Sequence, residues 1–90
     1  IAEMQGKIDQ NEADWQQFLI DHEAEREMIE EWIQNTNPPQ EDIDARWSQW
    51  NEGYTNTEYW YQRYKTIYAW NMNTLVGLKN ADKSVWDDIL

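Results

Sequence analysis

IAEMQGKIDQNEADWQQFLIDHEAEREMIEEW, residues 1–32, reads in sevens. Ile1, Ile8, Trp15, His22 and Ile29 share one heptad position, and Met4, Asn11, Phe18, Glu25 and Trp32 follow each by three. Seven of these ten are apolar; Asn11, His22 and Glu25 are the polar ones. Alternating steps of three and four lay a single stripe along one side of an α-helix. No proline interrupts it, and Gly6 lies off the stripe. A helix is predicted from Ile1 to about Asn35, on the order of 50 Å long. A helix of that length needs something to lean on. The positions flanking the stripe are polar early (Gln5, Lys7, Glu12, Asp14) and gain Leu19, Met28 and Ile33 later. The N-terminal third is therefore expected to be the more exposed or intermolecular part, and Trp15 onward to sit on the rest of the chain.

Asn35-Thr36-Asn37-Pro38-Pro39 ends the helix, since two prolines cannot continue it. Asn37 is expected to cap the helix that follows, whose first turn holds Gln40, Glu41 and Asp42. Ile43, Trp47, Trp50 and Tyr54 then give that helix an aromatic face, and Gly53 to Thr57 is expected to break it. A third helix, capped by Thr57, is predicted from Glu58 to Lys79. Trp60, Tyr64, Ile67, Asn71, Leu75 and Leu78 line one of its faces, widened by Tyr61, Tyr68 and Met72. A turn at Asn80-Ala81-Asp82 and a last short helix capped by Ser84 are expected to let Val85, Trp86, Ile89 and Leu90 pack back. The fold predicted is all-α. A long coiled-coil-like helix (1–35) and a Pro-Pro turn (36–39) lead into an antiparallel, broken, aromatic-rich return arm (40–90).

Ninety residues make one small domain or a piece of something longer, and the start at Ile1 fits a processed product or a fragment. Such a length is marginal for a core of its own. There is no Cys, so disulfides and thiolate metal sites are excluded and oligomerisation is the remaining common stabiliser. Seven Trp, five Tyr and one Phe argue against disorder. No apolar run approaches a membrane span, and no signal-peptide pattern is visible.

The net charge of −11 is lopsided: residues 1–45 hold 13 Asp/Glu against two Lys/Arg, while 46–90 hold five of each. That argues against nucleic acid or an anionic membrane as partner, both of which need basic patches. It fits a solvated acidic face or, alternatively, an acidic mimic of nucleic acid that inhibits a basic partner protein.

Chemistry finds little support. His22 and Glu25 share a helix face, but with one His in the chain a metal site would need several subunits around an axis. Ser48 and Ser84 lie on other helices than His22, and carboxylate pairs such as Glu30/Glu31, Glu41/Asp42 and Asp87/Asp88 are expected on exposed faces. Three scattered glycines make no phosphate loop. No enzyme activity, metal or cofactor is expected.

Asn73-Thr74-Leu75, Leu78-Lys79-Asn80, Asp82 and Val85 together resemble the C-terminal segment of type III secretion needle subunits over about eighteen residues. Those are small helical hairpins that polymerise into a tube. Here the proline turn lies farther upstream and the first helix is longer and more acidic, so the resemblance implies an assembling helical subunit and no more.

The reading is a non-enzymatic assembly protein, forming a homo-oligomer or docking into a larger particle such as a phage virion or filament. A trimer is the guess, from Asn11 within a seam of mixed Ile, Trp and Phe. Three helices cannot enclose thirteen rings in one small monomer, so some should be buried between chains. The interface is expected to use Ile8, Asn11, Trp15, Phe18, His22, Trp47, Trp50, Trp60 and Tyr64.

Overall fold

A computed structural model describes residues 1–89, with side chains described as far as Ala81. It is a hairpin of two α-helices, α1 (Ala2–Thr36) and α2 (Gln40–Ile89), with no strand among the described residues. The shape is a rod of 77 × 17 × 10 Å. Its long dimension is that of α2 alone, since 50 residues rise about 75 Å.

The two arms are joined by only Asn37, Pro38 and Pro39. Asn37 does not cap α2 as expected. It ends α1, in the left-handed conformation (φ 44°, ψ 58°), and its N–H donates to the Ile33 carbonyl at 3.0 Å. Asn tolerates that conformation better than other side-chain-bearing residues, and it is a common way to close a helix. The carbonyl of Pro39 starts α2, accepting from the N–H groups of Asp42 (3.0 Å) and Ile43 (3.1 Å).

Across the seam Asn11 meets Tyr61, Phe18 meets Tyr54, His22 meets Trp50 and Glu25 meets Arg46. Each step forward along α1 is matched by a near-equal step back along α2, so the arms are antiparallel in a fixed register. The heptad stripe of α1 faces α2: Met4, Ile8, Asn11, Trp15, Phe18, Glu25 and Trp32 are half-buried, and His22 and Ile29 are buried. Both buried members lie after Trp15, so the N-terminal third is indeed the less covered.

The expected break at Gly53 to Thr57 is absent. So is the turn at Asn80 to Asp82; α2 passes through both. The reason is phase. Ile43, Trp47, Trp50, Tyr54, Thr57 and Tyr61 follow one another by fours and threes, with Tyr68 a heptad further on, so the seam stripe crosses Gly53 without a slip. Thr57 is a half-buried seam residue, not a cap. One glycine costs a helix about 1 kcal/mol relative to Ala, too little to divide an arm braced on both sides. The cap assigned to Ser84 and the packing assigned to Val85, Trp86, Ile89 and Leu90 lie outside the described side chains.

The outer face of α1 holds itself together locally. Gln5–Asp9, Gln10–Asp14, Gln16–Glu12 and Gln17–Asp21 are hydrogen-bonded one turn apart at 2.7–3.1 Å. Glutamine partners serve where this acidic helix has only Lys7 and Arg26 as cations, at a few tenths of a kcal/mol each.

Candidate functional site

The seam is built from rings. Trp15 stacks on Tyr61 (centroids 4.7 Å, planes 9° apart) and lies 5.6 Å from Phe18. Phe18 in turn lies 5.0 Å from His22, whose ring stacks on Trp50 at 4.1 Å and 10°. Trp47 meets Trp50 edge to face, and Tyr54 fills in against Trp15, Phe18 and His22. Such contacts add about 0.5–1.5 kcal/mol each beyond the area they bury.

Each polar member of the α1 stripe finds a partner on α2. Asn11 Nδ2 donates to the Tyr61 carbonyl (3.3 Å), and Glu25 accepts from Arg46 (2.6 Å). His22 is covered by Trp50, whose indole N–H donates to the His22 carbonyl (3.0 Å). The Glu25–Arg46 pair is more than a third exposed overall and is worth about 0–1 kcal/mol. A polar residue within an apolar seam favours one register, and these three are matched within one chain. His22 Nε2 is buried with no hydrogen-bond partner.

Tyr61 and Glu12 form the one linked titrating pair across the seam among the described residues. The phenol donates to the Glu12 carboxylate. That bond, with one from Gln16, holds the Glu12 carboxyl below its ordinary 4.5 despite some desolvation. It also raises the Tyr61 phenol above its ordinary 10.0, with desolvation adding and the Lys65 ammonium over the ring opposing. A lowered carboxyl stabilises the fold above its unfolded pKa and loses that as pH falls through the folded value. A raised phenol stabilises it below its unfolded pKa and loses that as pH rises through the folded value. The pair therefore adds a plateau between about pH 5 and 10 that weakens on either side. Tyr61→Phe is expected to flatten both shoulders in melting temperature measured against pH; unchanged shoulders would assign them to other groups.

Nothing resembling an enclosed chemical site is present in the described part of the chain. The crevice between the helices around Asn11, Trp15, Thr57 and Tyr61 is about 150 Å³, below the ~300 Å³ of ordinary ligand pockets. A larger groove along Thr55, Tyr59, Arg63 and Ile67 is walled by α2 alone and is the side of a rod. Among the described residues no three acidic or His side chains gather as a metal site requires, and no helix is long and apolar enough to cross a membrane.

What stands out is uncovered apolar surface. The chain exposes 7144 Å². A compact monomer of its 11.0 kDa exposes about 5,600 Å², so roughly 1,500 Å² is in excess. Only Ile29 and Tyr61 are buried apolar residues among those described. Tyr54, Tyr59, Trp60, Tyr64, Ile67, Trp70, Leu75, Val76 and Leu78 are all exposed on α2, against Ile1, Ile20 and Met28 in the N-terminal arm. Of the residues expected at an interface, Ile8, Asn11, Trp15, Phe18, His22, Trp47 and Trp50 sit half-buried or buried in the hairpin's own seam or at its edge. Trp60 and Tyr64 remain outward, 48% and 42% exposed. Ile67, Trp70, Leu75 and Leu78 are exposed farther along α2. Comparison with models of protein families, with curated proteins and with solved structures finds no match for this chain.

Proposed function

We propose that this chain is a non-enzymatic assembly subunit that works by docking its α2 surface onto other protein chains, its own copies foremost. The run of exposed rings and aliphatic side chains from Tyr54 to Leu78 supports the reading. Aromatic residues dominate interface hot spots, and an excess of roughly 1,500 Å² on one chain is about twice what one partner contributes to a standard-size interface. A virion or a filament is the kind of particle such a rod would serve. Light scattering is expected to give a mass several times the 11.0 kDa monomer. Because the contact is apolar, raising salt should change that mass little. A single-chain mass at all concentrations, with no protein partner, would defeat the proposal.

A second reading draws on the outer face of α1. Its carboxylates are exposed, and the ion pairs among the described residues are confined to Arg26 with Glu23 and Glu30, and Arg46 with Glu25. An acidic rod of this kind could occupy a nucleic-acid-binding surface of another protein. In that case partner binding collapses as salt rises, the reverse of the first expectation.

A further inference from the structure

Trp60, Tyr64, Ile67, Asn71, Leu75 and Leu78 recur at intervals of four, three, four, four and three. That is the rhythm one helix presents to another. At about 100° per residue, this second stripe lies roughly a quarter turn around α2 from the seam. Its apolar members are 37–58% exposed. α1 also runs out beneath it. The seam register carried back to Ile1 ends beside Asn71 and Met72, so residues 73–89 project past α1 by about 25 Å.

We infer that this stripe packs against the same stripe of a second copy, antiparallel, with the two-fold axis passing through Asn71. The inference rests on the chain being an assembly subunit and names the surface and the arrangement. The rhythm requires a helix as occupant. The charge distribution selects the same helix of another copy. Residues 46–90 are neutral while 1–45 carry −11, so pairing α2 with α2 beyond Arg46 joins neutral surfaces and keeps the acidic arms apart. Pairing α1 with α1 would set like charges face to face. The overhang selects the direction. Antiparallel packing lays each projecting 73–89 segment along the α1-braced length of its partner. Parallel packing leaves two overhangs with only each other. About the axis, Ile67 meets Leu75 and Tyr64 meets Leu78. Asn71 meets its own twin, where an amide can both donate and accept. A polar residue inside an apolar stripe is a familiar means of setting register.

The absence of Cys makes the test clean. Asn71→Cys, Leu78→Cys and Tyr64→Cys, all at exposed positions, are prepared singly, checked for unchanged helix content by circular dichroism, and mildly oxidised. Crosslinking demands Cβ atoms about 4 Å apart. Asn71→Cys is expected to form a disulfide dimer. Leu78→Cys and Tyr64→Cys are each expected to stay uncrosslinked alone and to form the mixed dimer when combined. Leu78→Cys crosslinking to itself as readily as Asn71→Cys would overturn the antiparallel arrangement. No crosslink in any variant, with light scattering of the unmodified chain still giving a multi-copy mass, would overturn this surface and leave the assembly reading standing. No crosslink and a single-chain mass would overturn both.

Discussion

Trp50→Ala is expected to lower stability by about 3 kcal/mol, the lower end of the range for deleting a large core aromatic, because Trp50 is only half-buried. The change removes the plate over His22, the edge contact to Trp47 and the indole hydrogen bond to the His22 carbonyl. It also opens the buried, unpartnered Nε2 of His22 to water, which offsets a part of that loss. For a chain of this length the melting temperature should fall by about 12–24 °C, followed by circular dichroism at one protein concentration so that any self-association contributes equally. Trp70→Ala is the matched control. Trp70 is 58% exposed and makes no seam contact, so its loss should leave the hairpin's melting nearly unchanged. If both substitutions lower the melting temperature by the same few degrees, the aromatic seam is not what joins the arms.

Replacing all three glycines by Ala is expected to act in the opposite direction. Gly6, Gly53 and Gly77 each lie within a helix, none has positive φ, and an added Cβ would meet nothing within 4 Å at any of them. Each replacement should stabilise by about 0.5–1 kcal/mol, mostly by restricting the unfolded chain. The sites are far apart, so the effects should add to about 1.5–3 kcal/mol and raise the melting temperature by roughly 6–24 °C. Gly53→Ala alone carries the structural question. In a continuous α2 it stabilises; at a break between two helices it would be neutral or harmful.

The hairpin was legible because it rests on two signals that seldom mislead. These are a heptad stripe sustained over Ile1 to Trp32 and two consecutive prolines at 38 and 39. The length of α2 was misread at Gly53. Local propensity there, with Gly, Asn and Thr close together, argued for a turn, while the phase of the flanking stripe argued against one. Phase reports tertiary support, which outweighs a glycine's cost of about 1 kcal/mol. Thr57 is the rung that the apolar pattern hides: a polar residue there looks like a cap, and the apolar positions resume on Trp60. That restart picked out the outward face of α2. The inward one runs through Tyr61, Tyr68 and Met72. The seam residues of α1 could not be assigned to an intrachain or an interchain role from sequence, because a heptad states that a partner helix exists without stating whose it is.

A link as short as Asn37 to Pro39 has a kinetic consequence. Bringing distant parts of a chain together costs loop entropy, and that cost grows with the length of the loop being closed. Here the first contact closes almost nothing, and every later rung extends a ladder already begun. The arms therefore close like a zip from the proline end and part from the other. The end where α1 runs out is the first to open, and the stripe proposed above as a docking surface spans that end.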